Sequence, residues 1–171
     1  RRIKKLTPVF KEYGLDNVRW GTHTRMDEAD ARLHDMAESG CVYIGFGAES
    51  AAEQTLKNMK KGGFILKNGI TPMKVNGGIY HFPTTMVNAV KNCRDTNIHG
   101  NCTWIMAYPG ETLEDLKTSV AFITWQQDFW TNGCTPGTPA YETMRNGVNR
   151  KMFTATAYPG TEMWNVVKPQ L

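Results

Sequence analysis

Short apolar runs alternate with helical patterns four times along the chain, and this alternation limits the folds open to it. The four apolar runs are residues 17–24, 41–50, 101–107 and 151–157. After the first run, residues 26–39 place Met26, Leu33 and Met36 on one helical face, and Gly40 ends that helix. Strand, turn and helix in repetition predict a parallel α/β sheet. The period alone does not separate a closed barrel from an open sheet.

The second run, CVYIGFGAES, has almost no polar alternation, which predicts a strand covered on both faces. Ser50 and Glu53 form a capping-box pattern at the start of the next helix, which Gly62 and Gly63 end. Three further helices are expected: from about Thr84 to Asn97, from Leu113 through Trp125, and from near Glu162.

Two stretches interrupt this rhythm. Residues 62–83 and 129–150 are rich in Gly, Asn, Pro and Thr with scattered aromatic residues, so both are predicted to be long loops. Loops of this length are uncommon unless they are functional or disordered.

Composition indicates one globular domain over residues 1–171, with 40% apolar residues to form a core. The net charge is +4, and its only dense basic cluster is Arg1, Arg2, Lys4 and Lys5. A solvated helix end explains that cluster more simply than nucleic-acid binding. No apolar run approaches the roughly 18 residues of a membrane span, and the charged start lacks the apolar stretch of a secretory signal. A cytoplasmic protein is therefore expected.

The cysteines and histidines do not form a metal-ligand pattern. Cys41, Cys93, Cys102 and Cys134 include no pair two or three residues apart. Cys41 and Cys102 begin apolar runs, where a free thiol usually acts as a small buried apolar group. The four histidines lack the i, i+4 spacing that places two imidazoles on one helix face, so a metal site made of histidine alone is not expected.

The tetrapeptide Ala-Tyr-Pro-Gly follows two of the apolar runs, at 107–110 and 157–160. At the carboxyl end of a buried parallel strand, backbone groups face a ligand-binding crevice. Proline fixes φ there and glycine permits a tight turn, so the backbone can approach a flat ligand. The repeat alone is a weak signal, because turns between strands and helices often contain both residues.

Three motifs in order make the pattern more specific: GFGAES at 45–50, YPGET at 108–112 and YPGT at 158–161. Together they resemble the second part of the radical S-adenosylmethionine (radical SAM) core, over about residues 17–128 and 151–165. The resemblance implies a partial parallel (β/α) barrel of the TIM type that lacks its first units. In that family a [4Fe-4S] cluster and S-adenosylmethionine lie at the carboxyl ends of the strands. The reduced cluster cleaves S-adenosylmethionine to a 5'-deoxyadenosyl radical, which abstracts hydrogen from a substrate.

The pairing of GFGAES with YPGT looks most like family members with a cobalamin-binding domain upstream, or their methylthiotransferase and anaerobic cyclase relatives. Cobalamin is therefore a further cofactor that the resemblance admits. The substrate and the type of reaction are left open.

The resemblance also implies roles for individual residues. Glu49 matches the position that faces the ribose hydroxyls of S-adenosylmethionine, for which a carboxylate is a natural acceptor. Lys61 matches the basic position that meets the methionyl carboxylate. Ser50 is expected to cap a helix and to contribute little else. Arg25, just past the first strand, is a candidate for a polar contact at the cavity mouth.

The adenine is expected to lie against two other strands. Ile105 and Ala107 match the strand that packs on the adenine ring. Ala157 and Tyr158 match the backbone edge of the last strand, which reads the adenine.

Three departures from the family pattern shape the expected activity. The CxxxCxxC motif that holds the cluster is absent, a glycine-rich segment that contacts the methionyl amine is missing, and Ala107 stands where the family more often has glycine. With a first residue that is Arg rather than Met, these departures suggest a carboxyl-terminal fragment. We expect such a chain to retain no cluster, to be inactive alone and to self-associate through sheet edges that the missing amino-terminal half of the barrel would cover.

Two alternatives of other classes accompany this interpretation. One is a non-catalytic (β/α) module that binds a nucleotide or a partner chain at the same strand ends. The other is an unrelated phosphate-binding barrel, but its last two loops should be rich in Gly and Ser, and the Tyr-Pro-Gly turns argue against it.

Overall fold

The computed structural model describes residues 3–148 and 150–170, so Arg1, Arg2, Asn149 and Leu171 lie outside the described residues. Its strands are β1 (Trp20–Thr24), β2 (Cys41–Glu49), β3 (Ile70–Val75), β4 (Gly78–Pro83), β5 (His99–Met106) and β6 (Met152–Thr154). Its α helices are α1 (Leu6–Glu12), α2 (Arg32–Glu38), α3 (Glu53–Asn58), α4 (Gly62–Ile65), α5 (Thr84–Asp95), α6 (Leu113–Thr131), α7 (Pro139–Gly147) and α8 (Glu162–Val167). Short 3-10 turns lie at Ile3–Lys5, Met26–Glu28 and Lys168–Gln170.

The main sheet has four parallel strands in the order β1-β2-β5-β6. Each strand is followed by a helix, so the chain has the predicted mixed α/β fold with a partial (β/α) barrel arrangement, and that prediction is confirmed. The register aligns Gly45 of β2 with Asn101 of β5, and Ile105 of β5 with Phe153 of β6. Strands β3 and β4 form a separate antiparallel hairpin.

The outer face of the sheet carries the core. Ile44, Phe46 and Trp104 are fully buried on this face, beneath the helices. The Phe122 ring of α6 lies 5.6 Å from the Trp104 ring and 5.1 Å from the Phe82 ring of β4. Since burial of a large apolar side chain contributes roughly 1.5 to 3 kcal/mol, these rings fix the helices and the hairpin to one side of the sheet.

The inner face of the same strands is polar and rich in glycine. It carries Tyr43, Gly45 and Gly47 on β2 and Asn101 and Thr103 on β5, which alternate with the buried residues. The prediction that β2 is covered on both faces is confirmed only in part, because on the inner face Gly45 is buried whereas Tyr43, Gly47 and Glu49 are half-buried. Glycines on the inner face hide the alternation, because they break the apolar pattern without adding polar side chains.

The expected loop at 62–83 is replaced by α4 and the β3-β4 hairpin. The two-residue turn between the strands is Asn76–Gly77, and both residues have positive φ, 47° and 84°. Asn-Gly is the preferred sequence for this kind of hairpin turn, because both positions need a left-handed backbone. This is the local signal that the loop prediction overlooked.

The expected loop at 129–150 is also largely helical in its described residues. Helix α6 continues to Thr131. At the carboxyl end of α6, the carbonyls of Trp130 and Asn132 accept hydrogen bonds from Arg94 of α5. Helix α7 starts after Thr138, whose hydroxyl accepts a hydrogen bond from the backbone N–H of Tyr141. A threonine cap followed by proline is a helix-start signal, and it outweighs the turn-forming composition of this segment.

Within residues 3–148 and 150–170, no helix is both long enough and apolar enough to cross a membrane.

Both outer strands of the parallel sheet have one open edge among the described residues, because β1 pairs only with β2 and β6 only with β5. Unpaired strand edges favour pairing with another chain. We therefore predict that this chain self-associates, with a sedimentation coefficient that rises with protein concentration. Phe153 of β6 is 55% exposed, and Phe153→Lys should weaken the association. Tyr13→Lys, at an exposed site outside the sheet, serves as the control, and concentration-independent monomer would contradict the prediction.

Candidate functional site

The candidate site lies at the carboxyl ends of β1, β2 and β5. Arg25 follows β1, Glu49 ends β2 and Ala107 follows β5, so these residues lie along one edge of the sheet. In parallel α/β folds this edge is where ligands bind. The short helix α4 contacts two of these strand ends, through Lys61 just before it and Phe64 within it.

Glu49 and Lys61 form an ion pair. The Nζ atom of Lys61 lies 3.1 Å from Oε1 of Glu49, and the two side chains are 39% and 16% exposed. The family resemblance implies that they bind different parts of one ligand, and the structure places them in direct contact. A carboxylate and an ammonium group side by side supply an acceptor for hydroxyl groups and a cation for a ligand carboxylate.

The backbone at Glu49 is left-handed, with φ of 64°, and the pairing between β2 and β5 shifts between Gly47 and Glu49. A non-glycine residue in this conformation costs roughly 1 to 3 kcal/mol. The shift turns the carboxylate back over the strand, so that Oε1 lies 2.9 Å from where a Cβ atom on Gly47 would be. The glycine is therefore required for this position of the Glu49 side chain.

Arg25 is held by its own neighbours. Its guanidinium donates two hydrogen bonds of 2.9 Å to the Asp27 carboxylate, contacts Glu28 at 3.4 Å and lies 4.5 Å above the centre of the Phe64 ring. The Asp27 side chain is only 5% exposed and also accepts from Lys67 at 3.2 Å. The hydrogen bonds from Arg25 hold the pKa of Asp27 below its usual range. Arg25 thus holds Phe64 of α4 next to the end of β1, and its predicted place at a cavity mouth and its contact with a ligand stay predictions.

The YPGET motif forms a turn that is stabilised by a hydrogen bond to the Glu111 carboxylate. Ala107 has φ of 61°, and its backbone N–H donates a 2.6 Å hydrogen bond to Oε2 of Glu111. Oε1 of Glu111 is buried and has no hydrogen-bond partner in the described residues, and burial raises the pKa of this carboxyl. The hydroxyl of Tyr108 donates to the carbonyl of Asn58 at 3.4 Å and so links the turn to α3. The role of Glu111 was not predicted from the YPGET motif.

The predicted adenine-facing residues are only partly brought together. Ile105 lies half-buried on the inner face opposite Phe153. The last strand was expected to run to residue 157, but β6 ends at Thr154, followed by one more hydrogen bond of 2.8 Å from Ala155 N–H to the Met106 carbonyl. The strand stops there because β5, its only partner in the described residues, ends at Met106.

Ala157 and Tyr158 therefore lie in the connection after β6 and not in the strand. Ala157 is half-buried and Tyr158 is 66% exposed. Their predicted contact with adenine stays a prediction, and it would have to come from the turn and not from a strand edge.

Ser50 does not cap a helix, so that prediction was wrong. Helix α3 starts at Glu53 with Ala52 before it, and no side chain caps it. The hydroxyl of Ser50 is buried, lies 3.1 Å from the hydroxyl of Ser119 and accepts a 3.1 Å hydrogen bond from the Ala52 N–H. It ties the turn after β2 to α6. The predicted end of this helix was also wrong, because Gly62 and Gly63 belong to α4.

The described residues offer no cluster of three or more metal-ligating side chains. Cys41, Cys93 and Cys102 are buried, as expected for two of them, and Cys134 is half-buried. Burial raises the pKa of Cys93 to about 12 and raises those of Cys41 and Cys102 as well. Since a thiolate and not a thiol binds iron, these groups are poorly suited to hold a cluster.

Comparison with known proteins gives one sequence relative and several structural ones. An uncharacterized methyltransferase of Pyrococcus horikoshii is 26% identical over 166 residues, which is 96% of this chain and 28% of that protein. The chain thus spans little more than a quarter of the length of the relative it matches. No protein-family model matches the sequence.

Three solved structures share the fold. The cobalamin-dependent S-adenosylmethionine radical enzyme OxsB has a TM-score of 0.59 and 15% identity over 98% of this chain and 25% of its own. Archaeal Elp3 from Methanocaldococcus infernus has a TM-score of 0.55 and 19% identity over 90% of this chain and 28% of its own. The radical S-adenosylmethionine methyltransferase TsrM from Kitasatospora setae has a TM-score of 0.52 and 17% identity over 72% of this chain and 22% of its own. The chain thus has a fold related to that of radical SAM enzymes.

The left-handed turn at Ala107 gives a test of the site geometry. This conformation costs alanine about 1 to 2 kcal/mol, and glycine adopts it freely but loses about 0.5 to 1 kcal/mol of backbone entropy. We predict that Ala107→Gly raises the free energy of unfolding by about 0.5 to 1 kcal/mol, measured from the midpoint of urea unfolding. Gly110→Ala is the matched control, since φ there is 84° and an added Cβ would lie 3.0 Å from Nδ2 of Asn58. It should destabilise the protein, and a destabilised Ala107→Gly would show that the turn is not left-handed in solution.

The buried thiols give a second test. We predict that the chain binds no [4Fe-4S] cluster after anaerobic treatment with iron and sulfide, because its cysteines are dispersed and burial raises the pKa of Cys41, Cys93 and Cys102. Iron content and visible absorbance measure the outcome. Stoichiometric iron that disappears in a Cys134→Ser variant would contradict the prediction and identify the half-buried thiol as a ligand.

Proposed function

We propose that this chain forms the S-adenosylmethionine-binding strand ends of a radical SAM methyltransferase, with the cluster ligands supplied by polypeptide outside it. The observation that carries the proposal is the Glu49–Lys61 ion pair at the end of β2, next to the left-handed turn after β5. The motifs at both positions, the methyltransferase relative and the radical SAM folds of the structural neighbours support it.

The residues present suit S-adenosylmethionine. Its ribose presents two hydroxyl donors, and the partly buried carboxylate of Glu49 can accept from both. Its methionyl group carries a carboxylate, for which Lys61 is the nearby cation. The pair with Glu49 holds the Lys61 ammonium at the strand end before a ligand arrives, which reduces the entropy lost on binding.

The adenine would lie along the neighbouring strand ends. Ile105 offers an apolar side chain on the inner face, and Glu111 fixes the backbone of Ala107, which is exposed, in a left-handed turn. Ala157 and Tyr158 follow β6 on the far side and are proposed to close the adenine site from there. When bound, S-adenosylmethionine would supply either a methyl group or a 5'-deoxyadenosyl radical to the chemistry.

The residues of this chain do not suit the [4Fe-4S] cluster. Its cysteines are buried or dispersed, and its described residues hold no group of metal ligands. We therefore derive no reductive step from this chain. Cobalamin is proposed only because OxsB and a structure of TsrM hold it, and no residue of this chain is assigned to it.

The poor fit of the cysteines also favours a second candidate, a non-catalytic (β/α) module that binds a nucleotide or a partner chain at the same strand ends. The coding sequence upstream of Arg1 separates the two. A CxxxCxxC motif within one or two barrel units upstream supports the enzyme, and a native start at Arg1 supports the module.

Substitution of the ion pair tests the proposed binding mode. In the full-length protein, Glu49→Ala and Lys61→Ala should each weaken S-adenosylmethionine binding about tenfold to a hundredfold, the typical worth of a charge-assisted hydrogen bond of roughly 1.5 to 3 kcal/mol. Glu49→Gln should be milder, because its amide oxygen still accepts one hydroxyl. Isothermal titration calorimetry measures the affinities.

The neighbouring pair of Glu53 and Lys57, 2.6 Å apart on α3, provides matched controls. Glu53→Ala and Lys57→Ala should leave the affinity and the cluster content unchanged. Unchanged affinity in the Glu49 and Lys61 variants, together with a loss in Arg25→Ala, would show that the strand-end residues have been assigned to the wrong roles.

A further inference from the structure

A row of three rings crosses the inner face of the sheet, from His23 near the carboxyl end of β1 to His99 at the amino end of β5. His23 of β1, Tyr43 of β2 and His99 of β5 lie side by side, with 6.2 Å between the centres of each neighbouring pair. The planes of Tyr43 and His99 are nearly parallel, at 11°, and His23 stands edge-on to Tyr43 at 72°. Tyr43 precedes Glu49 by six residues along β2, about 20 Å at the rise of a strand, so one small ligand at Glu49 does not reach it.

Each ring of this row lies against a glycine. A Cβ on Gly45 would lie 2.4 Å from the His23 ring, and one on Gly21 would lie 3.2 Å from Tyr43. A Cβ on Gly147 of α7 would overlap the His99 ring at 1.8 Å. The backbone thus leaves room for all three rings, so the row is a specific packing arrangement and not a chance contact of surface side chains.

The polar groups of the row differ in their hydrogen bonding. His99 donates through Nε2–H to the carbonyl of Gly147 at 2.6 Å, because a carbonyl can only accept, and this bond fixes its ring. In the part of the chain that the structure describes, neither the ring nitrogens of His23 nor the hydroxyl of Tyr43 has a hydrogen-bond partner. His23 is exposed and Tyr43 is half-exposed. Two polar groups are therefore available on a surface of rings.

The rest of the inner face is built for contact with a ligand and not with a second apolar layer. The outer face of β2 and β5 carries the buried residues Ile44, Phe46, Cys102 and Trp104, whereas the inner face near the row presents Gly45, Gly47, Asn101 and Thr103. Rings with polar tips, set among glycines, favour planar ligands that stack and also form a hydrogen bond.

We infer that the His23–Tyr43–His99 row is a substrate subsite, which takes a planar aromatic ring bearing a hydrogen-bonding group. The ring stacks on the exposed His23 imidazole, and its polar group bonds to the Tyr43 hydroxyl. His99, held by Gly147, supports Tyr43 from behind. Only the identification of the bound ring as a substrate rests on the proposed function, because the binding of a planar ring does not depend on S-adenosylmethionine.

Indole, a planar ring with one N–H donor, is the probe, and cyclohexanol, a non-planar alcohol, is its control. In the chain labelled with carbon-13 in histidine, NMR should show a saturable shift of the Cε1–H signals of His23 and His99 with indole and none with cyclohexanol. The signals of His34 and His81, which lie outside the row, should not move.

Two variants locate the subsite. His23→Leu should weaken indole binding roughly two- to tenfold, the worth of one aromatic pair. Gly45→Ala keeps the imidazole but displaces it, because the added Cβ would lie 2.4 Å from the ring, and it should weaken binding similarly. His81→Leu, at an exposed site on the hairpin, should have no effect.

Four outcomes would overturn the inference. The first two are the absence of any histidine shift with indole, and equal shifts at His34 and His81. The other two are an unchanged indole affinity in the His23→Leu variant, and row signals that move with protein concentration and not with indole. The last would show that a second copy covers the inner face. His23→Leu should leave S-adenosylmethionine affinity unchanged in the full-length protein, and Glu49→Ala should leave indole affinity unchanged. Failure of the subsite and failure of the proposed function are thus distinguishable.

Discussion

The packing of Trp104 against Phe122 is the interaction on which the rest of the structure depends. It places the outer face of β5 in the core and fixes α6 on that side of the sheet. Because side chains alternate along a strand, Thr103 and Ile105 are then forced onto the inner face. All the apolar burial of the sheet is supplied from one side. The other side can therefore remain polar and rich in glycine without loss of a core, and that side is where both proposed ligand surfaces lie.

The repeating units were predictable because their signals are local. Apolar runs and helical spacing placed the four parallel strands and helices α3, α5 and α8 to within a few residues, whereas α2 starts six residues later and α6 ends six residues later than predicted. The hairpin was missed because Gly and Asn were interpreted as loop residues, although Asn76–Gly77 favours one particular turn. Helix α7 was missed for a similar reason, since Thr138 and Pro139 form a helix start within a segment of loop-like composition. In both cases the order of the residues predicts the observed structure, whereas the composition of the segment favours a loop.

The site was predictable in part. The family motifs named the strand ends that the structure places along one edge, but they could not predict that Lys61 lies 3.1 Å from Glu49. That contact depends on where α4 lies relative to the strands, and α4 is held there by contacts of Phe64 with Arg25 and of Lys67 with Asp27, which are far apart in the sequence. The row of His23, Tyr43 and His99 was also beyond sequence reasoning. Its members are far apart in the chain, and only the register of three strands aligns them.

The end of β2 has a strained backbone at Glu49, and the ion pair with Lys61 offsets only part of that strain. The left-handed backbone of Glu49 costs roughly 1 to 3 kcal/mol, whereas a partly exposed ion pair such as that with Lys61 contributes at most about 1 kcal/mol. The pair alone therefore does not offset the strain, and the folded structure maintains this conformation through the packing around it. A ligand that binds only the folded state adds stability in proportion to the logarithm of its concentration over its dissociation constant. If the proposed ligand binds Glu49, its binding free energy would offset part of this strain in the folded state.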